Sequence, residues 1–179
     1  MPRFEKSGDK PNVPIGYYNT SIVDFLDISD KLKQWGDWSF EAHCKSESVP
    51  FELKITYIIK FDRTSSGELD PDLNSWVSQF NNLLDTIEYN GGFDRYGVFR
   101  DAAGEEIALE NILETLLLHI QSKFPTGHPF IIYIEKDPKG YMRPMKRIYQ
   151  HKDKAELESF VEYRQNKGKK TTPAPPRKL

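Results

Sequence analysis

Cysteine is almost absent: Cys44 is the only one in 179 residues, so no intrachain disulfide can form and no paired-cysteine metal motif exists. The histidines, His43, His119, His128 and His151, include no two at the four-residue spacing that sets a pair of ligands on one helix face, so no metal site is expected. Long apolar runs are missing too. The longest, 130–134 and 116–118, fall far short of the roughly 20 residues that cross a bilayer. No positively charged start leads into an apolar export segment, and with one cysteine the expected home is a reducing, cytoplasmic compartment. Asn90-Gly91-Gly92 lacks the Lys-Ser/Thr of a phosphate-binding loop, and no nucleophile elbow or triad order is legible. No cofactor and no catalytic set are therefore expected.

What the chain does have is charge sorted by position. Residues 1–135 hold 12 Lys and Arg against 22 Asp and Glu, whereas 136–179 hold 13 against 5, so a net charge of −2 conceals −10 followed by +8. An acidic body with a basic end is built to meet phosphate, an anionic membrane or an acidic partner.

The termini are poor in core-forming residues. Pro2, Pro11, Pro14, Gly8 and Gly16 among charges mark 1–16 as a flexible arm, and the Lys-rich, Pro-rich stretch 166–179 reads as a basic disordered tail. Between them, 17–165 forms one α+β domain: a mainly antiparallel sheet of about five or six strands with two or three helices packed on one face.

The clearest strand is 51–61, where Phe51, Leu53, Ile55, Tyr57, Ile59 and Phe61 alternate with more polar residues. The run 38–44 pairs with it in antiparallel fashion, and 29–35 is expected to make a short helix ended by Gly36. Asp70-Pro71-Asp72 supplies a cap and first turn for a helix whose apolar face runs from Leu73 through Trp76, Val77, Phe80, Leu83 and Leu84 to Ile87, with Asn90-Gly91-Gly92 as its stop. A short aromatic strand, 93–100, leads into a turn at Asp101-Ala102-Ala103-Gly104, then a helix over 107–124. Strand 130–135, a turn at Asp137-Pro138-Lys139-Gly140 and a returning strand over 141–149 follow; Pro144 assigns the last of these to a sheet edge. A final helix, 154–165, opens on Asp153 and Glu156 as a capping box and packs Leu157, Phe160 and Val161.

Tyr141, Arg143, Met145, Arg147 and Tyr149 share one face of the returning strand by period-two alternation, beside Lys136, Lys139, Lys146, Lys152 and Lys154. Aromatic and cationic groups on one sheet surface can stack on bases while neutralising phosphates. The plainer reading is that edge strands carry Arg, Lys and Pro against aggregation, with Tyr141 and Tyr149 completing the core. Candidate partner-binding or nucleic-acid-binding residues are accordingly Tyr141, Arg143, Lys146, Arg147, Tyr149, Lys169 and Lys170. His119 reads as a buried, hydrogen-bonded core residue, and His43 and Cys44, adjacent in a strand, face opposite ways and cannot act together. Asp94, Asp101, Glu105 and Glu106 surround two glycine turns, where acids are usually just solvated.

The order strand, capped helix, Glu88-Tyr89-Asn90-Gly91, short aromatic strand and acidic glycine turn resembles, over 51–106, the ferredoxin-like inhibitors of ribonuclease E. Those are uniformly acidic, and this chain departs from them at its basic end. A small sheet protein with Pro-rich basic disorder is similar also to viral matrix proteins. The expected function is a non-enzymatic regulatory or adaptor protein, cellular or viral, that acts through protein contacts. The alternatives are a nucleic-acid-binding or anionic-membrane-binding, self-assembling structural protein, and an enzyme of another family using His119 or His128 with Asp94 or Asp101.

Overall fold

The computed structural model describes residues 13–70 and 75–169, without the side chains of 75, 76, 168 and 169. Its elements run β1 (Gly16–Asp27), β2 (Trp38–Lys45), β3 (Leu53–Ile59), α1 (Ser75–Thr86), β4 (Gly92–Phe93), β5 (Phe99–Arg100), α2 (Leu109–Lys123), β6 (Phe130–Lys136), β7 (Met142–Pro144), β8 (Tyr149–Gln150) and α3 (Lys154–Lys169). Residues 1–12 of the expected arm, 170–179 of the tail and the Pro71-Asp72 part of the helix cap lie outside the described residues. The chain is an α+β domain, as its pattern implies. Six strands form an antiparallel sheet in the order β3-β2-β1-β6-β7, with β8 also paired to β6, and β4 and β5 form a separate small hairpin.

β1 holds the sheet together. Its first half, Gly16 to Thr20, pairs with β6, and its second half, Ser21 to Asp27, pairs with β2. The register slips between Ile22 and Asp24, a bulge that sharpens the local twist. With the strand bent, the two ends of the sheet curl toward each other: the Tyr57 hydroxyl on β3 donates to the Lys146 carbonyl just past β7 at 3.3 Å. Pro144 sits on β7, at the sheet's edge, where its missing N–H costs no ladder bond.

One face of the sheet buries Phe40, Ala42 and Cys44 of β2, Leu53, Ile55, Tyr57 and Ile59 of β3, and Phe130, Ile132 and Ile134 of β6. α1 covers it with Val77, Phe80, Leu83 and Leu84, and α2 with Ile112, Leu116 and Ile120. Phe80 is the hub, fully buried, with ring centroids 5.3 Å from Trp38, 5.8 Å from Phe40 and 5.5 Å from Phe93. α3 lies on the opposite face, where Leu157 and Val161 pack on Ile131, Tyr133, Met145 and Tyr149. Alternation along β6 explains the division, because successive side chains there serve two separate clusters.

Several local expectations need correction. Residues 29–35 form successive turns instead of a helix, with Lys31 bonded to Ile28 and Trp35 to Leu32. Seven residues cannot offset helix nucleation, the Ser29 hydroxyl that could cap them is bonded to the Ser39 backbone, and tertiary contacts decide: a Cβ on Gly36 would come 2.6 Å from Ile58 and 2.9 Å from the Ile59 carbonyl. The single strand expected over 93–100 is a hairpin, because Asp94 turns the chain. α1 ends at Thr86 and is closed by the turn through Glu88, not by the glycines. Glu88 takes a left-handed φ of 59°, and bonds from Glu88 to Asp85 and Tyr89 to Leu84 close the helix end. A residue with a Cβ is tolerated there because its carboxylate accepts from Gln150 at 2.7 Å and pairs with Lys123 at 3.0 Å. The final helix is entered through a 3-10 turn, His151–Asp153, so Asp153 is already helical and is not a cap, and the helix runs on to Lys169.

Candidate functional site

The return from β7 to β8 is not one flat strand. A bend at Lys146 interrupts it, so the expected face of Tyr141, Arg143, Met145, Arg147 and Tyr149 is split. Met145 and Tyr149 are buried beneath α3, whereas Tyr141 is exposed. Arg143 is exposed and donates to Asp137 at 2.6 Å. Lys169 ends α3, and Lys170 lies outside the described residues. Of the seven candidates, Lys146, Arg147 and Tyr149 are brought together, and they line a groove.

That groove has a volume of about 490 Å³ and runs where the curled sheet's edges approach, between α1, the 145–149 segment and α3. A volume of this size falls within the span of about 300–1,000 Å³ typical of ligand sites. α1 contributes Gln79, Asn82 and Leu83, and α3 contributes Glu156, Phe160 and Arg164. Buried Tyr57 reaches it from β3. Two ties hold the walls apart at fixed spacing. The Thr86 hydroxyl donates to the Ile148 carbonyl at 2.7 Å, and the Gln150 amide donates to the Thr86 carbonyl at 2.8 Å, fastening the end of α1 to β8.

Electrostatically the lining is cationic, with Lys146, Arg147 and Arg164 against Glu156. Lys146 turns its ammonium back to the Thr56 carbonyl at 3.3 Å. Burial of that end, with a smaller contribution from Arg143, pulls its pKa below the ordinary lysine value. The Arg147 guanidinium lies 4.5 Å from the centre of the Tyr149 ring, and its Nη1 is a loose 3.6 Å from Glu156. Arg164 pairs with Glu135 at 3.2 Å and lies over Phe160 at 5.8 Å. Two polar atoms in this lining, Gln79 Oε1 and Arg147 Nε, are buried and have no hydrogen-bond partner among the described residues. Such atoms each cost about 1–3 kcal/mol until something satisfies them.

The remaining polar candidates are already engaged. His119, half-buried, bonds to the Ile87 carbonyl at 2.8 Å and meets Tyr89 edge-on. His43 sits between Glu41 at 3.0 Å and Glu52 at 3.4 Å, while its neighbour Cys44 is buried in the core. His128 lies 3.8 Å from Glu47, beside an open hollow of about 830 Å³ in which the Ser46 hydroxyl already accepts from the Ser48 amide. The loop acids Asp94 and Asp101 build turns. Asp94 accepts from the Tyr96 and Val98 amides, and Asp101 from the Ala103 and Glu105 amides. Asp137 repeats the device with the Lys139 and Tyr141 amides. In all three, a glycine three residues on takes a positive φ, 82° to 90°, at Gly97, Gly104 and Gly140. The Val98 amide and then Arg100 hold the Asp94 carboxyl below the usual carboxylate range; Arg143 and then backbone amides do the same for Asp137.

No protein-family model, curated protein or solved structure matches this chain. The groove must therefore be read from its own chemistry. Gln79, Asn82, Glu156, Phe160 and Arg164 were not among the candidate binding residues; Glu156 was expected only as a cap partner, and Phe160, expected to pack with Leu157 and Val161, is instead exposed at the groove. The signal was present for α3, since Glu156, Phe160 and Arg164 recur every four residues and so share one helix face. Nothing comparable marked Gln79, a polar residue at the margin of the apolar face of α1.

Proposed function

We propose that this protein is a non-enzymatic regulatory or adaptor protein that binds a protein partner through the groove between α1, the 145–149 segment and α3. One observation carries the reading: a groove with aromatic and cationic walls is lined by Gln79 and Arg147, each of which holds a covered polar atom, Oε1 and Nε, with no partner among the described residues. A folded protein keeps such atoms unpaired at a cost, and an incoming group toward which these two side chains turn repays it. Aromatic residues and Arg at the centre of a patch are also the side chains on which binding energy concentrates.

The reading through nucleic acid or an anionic membrane has less support in the described residues. Arg143 is tied to Asp137, and Lys146 points at a backbone carbonyl. Affinity capture with the full chain at physiological salt, followed by reconstitution from purified components, tests the proposal. A protein retained by the wild type and lost with Arg147→Glu supports it. Binding of an oligonucleotide or phosphatidylserine vesicles that falls steeply with salt, with no protein retained, replaces it with the phosphate-binding reading. Turnover abolished by substituting His119 or His128 would instead make the protein an enzyme.

A further inference from the structure

We infer that the groove takes a segment of acidic polypeptide anchored by a bulky apolar side chain, a proposal that rests on the protein-binding reading above and specifies its ligand. Charge gives the first argument. The lining holds Lys146, Arg147 and Arg164 against Glu156; with Arg164 paired to Glu135 at 3.2 Å and the Lys146 ammonium on the Thr56 carbonyl, Arg147 carries the charge open to a ligand, and Glu156, 3.6 Å away, is too loosely paired to neutralise it. Residues 170–179 do not complement this surface, because they contain Lys170, Arg177 and Lys178 and no acid.

The unpaired atoms give the second argument. Gln79 Oε1 is an acceptor that needs a donor, and Arg147 Nε is a donor that needs an acceptor. A peptide unit carries both an N–H and a C=O, whereas a phosphate group or a fatty-acid carboxylate offers acceptors alone. Both atoms are covered in the free groove, so a polypeptide satisfies both walls once the Gln79 and Arg147 side chains turn toward it. The third argument is apolar. Phe160 is 39% exposed at the groove, next to buried Tyr57 and Leu83, so a ligand side chain that covers it removes apolar surface from water on both partners.

A random peptide library displayed on phage and panned against the full chain tests this without a known partner. Selected peptides are expected to combine Asp or Glu with Leu, Phe or Trp. Their affinity, read by fluorescence anisotropy, is expected to fall about tenfold with Arg147→Met and about fivefold with Gln79→Met. Both replacements keep approximate side-chain volume, so loss of binding is separable from loss of fold by circular dichroism. Peptides that are basic or neutral, or that bind wild type and both variants equally, overturn the groove assignment while leaving a protein-binding function in place. A library that yields no binder, with an oligonucleotide or phosphatidylserine vesicles bound through Arg147, overturns both.

Discussion

Replacing Arg147 with Met should weaken partner binding yet leave the free protein slightly more stable. Its Nε is buried with no acceptor among the described residues, and removing such a donor recovers about 1–3 kcal/mol. Against that stands the pair with Glu156. At 3.6 Å, with the two side chains 35% and 58% exposed, it is worth about 0–1 kcal/mol. The guanidinium over Tyr149 adds about 0.5–1 kcal/mol, much of which a thioether keeps by its own contact with the ring. At the middle of these ranges the balance is a gain of about 1 kcal/mol, which in a chain of 179 residues raises Tm by roughly 2–4 °C. Urea unfolding followed by tryptophan fluorescence measures it, with an unchanged m-value required for the comparison. A loss of more than about 1 kcal/mol would refute the reasoning, because Arg147 would then be a structural group whose Nε is satisfied in solution.

Gly91→Ala should destabilise by about 1–3 kcal/mol, since its Cβ would lie 2.3 Å from the Arg100 carbonyl oxygen and 2.9 Å from Asp101 Cα, both backbone; an unchanged thermal midpoint would contradict this. Burial pushes the Cys44 thiol up to about 12, so Ellman's reagent at neutral pH should react only as the protein unfolds; labelling at the rate of free cysteine would show the strand pair to be open. Asp94 and Asp137 have folded pKa values below 3.8, so their contribution to stability is complete above that value and is lost as pH falls through the lower folded one. Asp94→Asn and Asp137→Asn should therefore flatten the acid limb of an unfolding curve below about pH 4, and an unaltered limb would exclude both carboxylates as its cause.

The strands that alternate cleanly were legible, and those that bend were not. β3 follows its pattern from Leu53 to Ile59 because it faces one core along its whole length. β1, the central strand, carries no such signal. Thr20, Ile22 and Phe25 point into the protein, and the bulge before Asp24 shifts the apolar phase by one residue. The 141–149 segment misleads for a related reason. Its alternation is real in sequence, but the bend at Lys146 sends Met145 and Tyr149 under α3 while Tyr141 stays in solvent. The helix stop at Glu88 was hidden because a charged residue holds the left-handed position that glycine usually takes, supported by Gln150 from 62 residues away. Half of the groove was legible, since Lys146, Arg147 and Tyr149 lie in the basic stretch. The other half depends on how β1 bends, which no local pattern specifies.

The sorting of charge along the chain acquires a spatial meaning in this groove. The acidic first part of the chain supplies one wall, through Tyr57, Gln79, Asn82 and Leu83, and places no charged side chain in the lining. Every charge there comes from residues after 136, on the 145–149 segment and α3. At physiological ionic strength, charges separated by more than about 8 Å are largely screened, so the −10 borne by 1–135 matters less to a seated ligand than the cations in contact with it. On the proposed reading, the two halves of the chain divide the work of recognition. The acidic body offers uncharged shape and an acceptor, and the basic end offers charge and a donor. A ligand must present both kinds of complement within the same short stretch to use the groove fully, which gives a small site a basis for selectivity that neither wall has alone.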